Sequence, residues 1–129
     1  MTAIQPQLWI EHAGQAVSFY EQAFSARVLH RVGEGDDIVA QLAVGDAAFW
    51  VARAGADMNR FCPTAIGGTT ARFLLVVDDP DAIMCTAVAA GGIESSLVSD
   101  EHGWRIGRVV DPFGHEWEVG HPIGAWPPV

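Results

Sequence analysis

Apolar residues recur along the chain in two rhythms. In HAGQAVSFYEQAFSA, residues 12–26, Val17, Tyr20 and Phe24 fall at i, i+3 and i+7 and predict a helix with one apolar face. QPQLWIE, residues 5–11, is short and half apolar, as a strand is. After the helix, RVLHRVG, DDIVAQLAVG and AAFWVAR are β-prone runs punctuated by Gly and Asp. The first half therefore reads β-α-β-β-β.

The second half repeats the plan after a Gly, Pro and Thr-rich connection, AGADMNRFCPTAIGGTT. ARFLLVV predicts a strand. DDPDAIMCTAVAAGG predicts a helix with acids and Pro80 at its start and glycine at its end. IESSLVS, WRIGRVVD and HEWEVGH predict three further strands. The period is roughly 65 residues with only two copies, so the copies must pack on each other to bury their sheets. The expected organisation is one domain over residues 1–129, with modules at about 1–53 and 70–122 and a linker at about 54–69.

The densest chemistry lies in RVVDPFGHEWEVGHP, residues 108–122. DPFG has Asp at i, Pro at i+1 and Gly at i+3, the composition of a type I turn in which Asp bonds forward to the backbone. Side chains alternate along the strand that follows. Glu116 and Glu118 therefore share one face, and His115 and Trp117 the other.

The paired β-α-β-β-β modules, AVSFYEQAFSA and GRVVDPFGHEWEV together resemble the vicinal oxygen chelate superfamily of glyoxalases, bleomycin-resistance proteins and extradiol dioxygenases. The DPFGHxW form is most similar to its PhnB-like branch. The resemblance spans nearly the whole chain and implies an α+β fold, two βαβββ modules forming a cupped eight-stranded mixed sheet. Metal-binding members take one ligand from the first and one from the last strand of each module. Carried over position by position, Gln5 and Glu118 match, whereas Arg72 stands in place of a His and Phe49 or Trp50 in place of a Glu. Arginine has no lone pair to offer a cation and keeps its charge. The metal set of Gln5 and Glu118 is thus incomplete, unless the register slips and His12, His115 or His121 contributes.

Alternation places Gln5, Gln7 and Trp9 on the cup face with Arg72, Leu74 and Val76, and Trp50, Trp104, Glu116 and Glu118 as further lining. Such aromatic walls with a few acids suit an aromatic or cationic small molecule. Five tryptophans in a small domain also suit a core or a dimer interface. Two functions follow. One is a bleomycin-resistance-like binding protein with no cofactor. The other is a metal-dependent glyoxalase-like lyase or isomerase, or a dioxygenase-like enzyme, using Zn, Ni, Mn or Fe with Glu118 as ligand or proton carrier.

Charge narrows the partners. Sixteen acids against seven bases give a net charge of −9, which repels nucleic acid and anionic membrane surfaces. No apolar run approaches a membrane span. Cys62 and Cys85 show no CxxC spacing and read as free thiols of a cytoplasmic protein. Curved sheets of short strands leave edges and an apolar cup that a homodimer would cover. In HPIGAWPPV, the proline-rich C-terminus, Trp126 is a candidate anchor over the partner or the pocket mouth.

Overall fold

The computed structural model describes residues 1–128; Val129, the last residue of the HPIGAWPPV tail, lies outside them. Two βαβββ modules form an α+β fold. The first comprises β1 (Gln7–Ile10), α1 (Ala13–Phe24), β2 (Arg27–Val32), β3 (Val39–Val44) and β4 (Ala47–Arg53). A short helix, α2 (Pro63–Ile66), interrupts the connection. The second module comprises β5 (Arg72–Val76), α3 (Pro80–Ala89), β6 (Ile93–Glu101), β7 (Trp104–Val110) and β8 (Glu116–Pro122).

Local chemistry sets the helix ends. α1 carries Ala13, Ala16, Val17, Tyr20, Ala23 and Phe24 on its buried face and stops where Ser25 turns left-handed at φ 57°. α3 starts at Pro80, whose missing N–H costs nothing in a first turn, and the Asp79 carboxylate accepts from the Ala82 N–H at 3.1 Å.

The eight strands do not form one sheet. They divide into two four-stranded mixed sheets, ordered β1-β4-β3-β2 and β5-β8-β7-β6, in which the first strand of each module runs parallel to the last. Among the described residues no ladder joins β1 to β5. Each sheet is covered by helix on one face only. Leu8, Ile10, Phe49 and Val51 of the first sheet and Leu75, Val109, Trp117 and Val119 of the second belong to a single core, with Tyr20 and Phe24 between them. The helix-covered faces of both sheets thus pack into one core. Of the eight largest fully buried side chains, six (Leu8, Ile10, Tyr20, Ile38, Leu42 and Val51) come from the first module, so the second relies on the first for its core.

Asp111, the first residue of DPFG, joins the modules. It is 3% exposed and accepts from the Phe113 and His115 N–H groups at 3.0 and 2.9 Å, from Trp117 Nε1 at 3.0 Å, and from the Tyr20 hydroxyl on α1. The turn thereby carries a buried carboxylate whose charge is balanced by four donors rather than a counter-ion. His115 adds a second tie through its Nε2, 3.0 Å from the Trp9 carbonyl oxygen.

Candidate functional site

The helix-free face of the first sheet is built from indoles and amides. Gln5 lies just before β1, two residues ahead of the predicted strand's observed start, yet its side chain joins that face. Its Oε1 accepts from Gln41 Nε2 at 3.0 Å and from Trp50 Nε1 at 2.9 Å. Beside this triad, Gln7, Trp9, Val39, Trp50, Ala52 and Arg60 line a groove of about 260 Å³. The Arg60 guanidinium stands 4.7 Å from the Trp9 ring centroid, within cation–π range.

The corresponding face of the second sheet is ionic. Arg108 Nε contacts Glu118 Oε2 at 3.0 Å, Arg72 Nη1 lies 3.8 Å from the same oxygen, and Arg72 Nη2 lies 3.6 Å from Glu116 Oε1. Trp104 sits toward the other end of this sheet, beside Gly120, where an added Cβ would meet Trp104 and Ile106 at 3.2 and 3.1 Å. Its ring meets Trp126 edge-on at 5.3 Å, so the tail covers the end of its own sheet.

Ladder registers equate the two faces. Trp50 pairs with Gln7 and Gln41, and Glu118 pairs with Leu74 and Arg108. Gln5 precedes Gln7 by two residues as Arg72 precedes Leu74. The set Gln5, Gln41, Trp50 therefore occupies in one module the places of Arg72, Arg108, Glu118 in the other. Phe49 is buried in the core, so Trp50, not Phe49, holds the position where the resemblance expects a glutamate.

These positions do not suit a divalent metal. Both acceptor directions of the Gln5 oxygen are engaged by N–H donors, and Glu118 is flanked by two guanidinium groups. Arg72 and Trp50 offer no donor atom to a cation. Among the described residues no three His, Cys, Asp or Glu side chains gather in a ligand set. His12 is exposed near Asp36, one nitrogen of His115 (Nε2) is bound to the Trp9 carbonyl and one of His121 (Nδ1) to the Val77 carbonyl, and none of the three belongs to such a gathering.

Within one chain the residues expected to line a common cup fall into separate groups. Gln7, Trp9 and Trp50 share the first groove, Arg72, Glu116 and Glu118 form the ionic cluster, and Trp104 stands apart with Trp126. Gln5 and Arg72 do meet, at a cleft of about 460 Å³ along the seam between modules, whose other walls include Ile4, Ala48, Leu74 and Trp117. Arg108, Gln41 and Arg60 were not among the residues that the sequence singles out. Arg108 and Gln41 were legible in principle, because they stand across the DPFG and Gly45-Asp46 hairpins from Glu118 and Trp50; Arg60 depends on the path of the loop.

A pair of βαβββ modules with one helix-free face each defines a class of small-molecule and metal-ion proteins rather than one activity. Residues 4–119 match the Glyoxalase/Bleomycin resistance protein/Dioxygenase superfamily, and the chain belongs to it. An uncharacterized protein of Mycobacterium bovis, Mb0911c, is 35% identical over 128 residues, covering 94% of this chain and 84% of its own. Among solved structures, TioX from Micromonospora sp. ML1 is 26% identical with a TM-score of 0.72, covering 99% of this chain and 100% of its own. TnmS3, an antibiotic binding protein from Streptomyces sp. CB03234, shares the fold at 20% identity and a TM-score of 0.69, over 95% of this chain and 97% of its own. No helix among the described residues is long and apolar enough to cross a membrane.

Proposed function

We propose that this protein binds an aromatic small molecule in the Trp9 and Trp50 groove, without a metal ion, as a homodimer of the PhnB-like branch working in the cytoplasm. The observation that carries the reading is the engagement of all four metal-equivalent positions by their own neighbours, next to two half-buried indoles held open on a helix-free face. The Trp50 indole is fixed by its bond to Gln5, so little side-chain freedom is lost when a ring settles against it. A cationic ligand has less support, because Glu116 and Glu118 already face Arg72 and Arg108. A lyase, isomerase or dioxygenase of the metal-dependent kind would need donors that these side chains do not supply. That the fold accommodates a binding role is illustrated by TnmS3.

The dimer rests on surface left uncovered. The outer edges of β1 and β5 are unpaired, and Leu74, Val76, Ile93 and Leu97 are 45–73% exposed on the second module. The cytoplasmic placement rests on Cys62 and Cys85, both free thiols. The decisive experiment is thermal melting of EDTA-treated protein against a panel of aromatic compounds, with light scattering for mass. Stabilisation without added metal, diminished in Trp9→Ala, supports the reading. Stabilisation that requires Zn, Ni, Mn or Fe, or tight retention of one metal per chain, would overturn it.

A further inference from the structure

Arg60 lies in the connection between modules, outside both sheets, and its position is fixed by backbone. The Gly55 N–H donates to the Arg60 carbonyl at 2.8 Å, and the Arg60 N–H donates to the Gly55 carbonyl at 3.0 Å, closing a small loop just beyond β4. That closure delivers the guanidinium to the Trp9 ring.

Of the seven arginines, Arg53, Arg72, Arg105 and Arg108 each face a carboxylate within 4.0 Å, whereas Arg60, like Arg27 and Arg31, has no ion pair among the described residues, and it alone of these three lies against an indole ring. The rest of the groove lining, Gln7, Trp9, Val39, Trp50 and Ala52, contains no acid. Glu11 borders a neighbouring hollow that Arg60 also lines, but its carboxylate accepts from Thr64 Oγ1 at 3.4 Å. In a chain of net charge −9, an unpaired cation lies on an aromatic wall.

From this placement we infer that Arg60 makes the groove selective for an aromatic ligand bearing an anionic group, such as a carboxylate, phenolate or sulfonate; this rests on the proposal that the groove binds aromatic rings. The cation–π contact with Trp9 uses none of the guanidinium N–H groups as hydrogen-bond donors to oxygen, and Arg60 makes no side-chain hydrogen bond among the described residues, so they remain available to donate. An anion on the ligand rim receives those charge-assisted bonds while the ring lies against Trp50. A cationic ring meets like charge and competes with Arg60 for Trp9. A neutral ring gains the stacking alone.

Three ligands of equal ring size separate these cases: 2-naphthoate, 2-naphthalenemethanol and 2-naphthylmethylammonium, titrated calorimetrically at low ionic strength into the full chain and into Arg60→Gln. Circular dichroism confirms that the variant is folded. The expected order is anion, neutral, cation, with naphthoate about tenfold tighter than the alcohol, a step of about 1.4 kcal/mol. Arg60→Gln should reduce that preference to about twofold or less, read as the ratio of the two affinities in the same variant. Equal binding of all three by the native chain overturns the role of Arg60 and leaves the aromatic groove standing. An anion preference that survives Arg60→Gln also overturns it, and points instead to Arg72 at the seam. Failure of all three to bind overturns both readings.

Discussion

The two modules share a plan and differ where they face outward. On the core side the equivalent positions are alike in kind: Leu8 and Leu75, Val51 and Val119, Phe49 and Trp117 all pack into one apolar interior. On the helix-free side, Gln5, Gln41 and Trp50 form a neutral hydrogen-bonded triad where Arg72, Arg108 and Glu118 form an ionic one. Burial dictates the first similarity, because a core position tolerates only apolar side chains of suitable volume. The open face has no such constraint, and its polar groups need only satisfy one another. The two helix-free faces accordingly satisfy equivalent positions in different ways, one with neutral hydrogen bonds and the other with ion pairs.

The largest predicted effect breaks what the modules share. Asp111→Ala leaves the Tyr20 hydroxyl, the Trp117 indole N–H and two backbone N–H groups without an acceptor in a buried site. We expect a loss of about 3–5 kcal/mol in urea unfolding. Because the joint belongs to both modules, the loss should appear in one transition. Two separated transitions would show that the modules are independent and that the comparison of faces is one between separate units.

Tyr20→Phe probes the same joint with a smaller change. It removes one donor to a charged acceptor and costs about 1.5–3 kcal/mol at neutral pH. The Tyr20 hydroxyl is held well above its ordinary value of 10.0, first by burial, then by the charge of Asp111 and its hydrogen bond. A folded-state value above the unfolded one gives stability that is complete below the unfolded value and is lost as pH rises through the alkaline range. Native protein should therefore lose stability above about pH 10, and Tyr20→Phe should lack that tyrosine contribution. Parallel alkaline profiles for the two proteins would show that Tyr20 ionises as freely folded as unfolded.

Much of this fold is legible in the sequence. The spacing of Val17, Tyr20 and Phe24 marks α1, and Asp79 followed by Pro80 marks the start of α3; both helices stand where that pattern places them. DPFG is the turn its composition demands, with Asp111 bonded forward to Phe113 and His115. Alternation correctly separates Glu118 from Trp117. Strand order, by contrast, is non-local. Gln41 faces Trp50 across the two-residue Gly45-Asp46 turn and is readable from it, but nothing near Gly55 shows that the linker returns Arg60 to Trp9. Periodicity likewise says which residues share a face of a strand, not how two sheets set those faces against each other. The tail HPIGAWPPV reads as irregular throughout, yet β8 continues through Pro122, because the hairpin partner Trp104 pairs opposite that residue.

The smallest effects sharpen the contrast between the faces, and salt is the variable that separates them. Glu118→Gln removes the carboxylate held by Arg108 and leaves two guanidinium groups facing an amide. Glu118 keeps a fifth of its side-chain exposure and both arginines nearly half, so solvent screens the pair and the expected cost is about 1 kcal/mol or less at low salt. Raising the salt should shrink that cost further, since the Debye length falls to about 3 Å at 1 M. Trp50→Phe instead removes a neutral N–H donor to Gln5 while keeping an aromatic side chain. Its cost, about 1 kcal/mol, should be nearly the same at low and high salt, because no net charge is lost. Denaturant melts of the two variants at both ionic strengths give the test. If both costs respond to salt alike, the two triads are not different solutions to the same place in the fold, and the ionic character assigned to the second face has no energetic content.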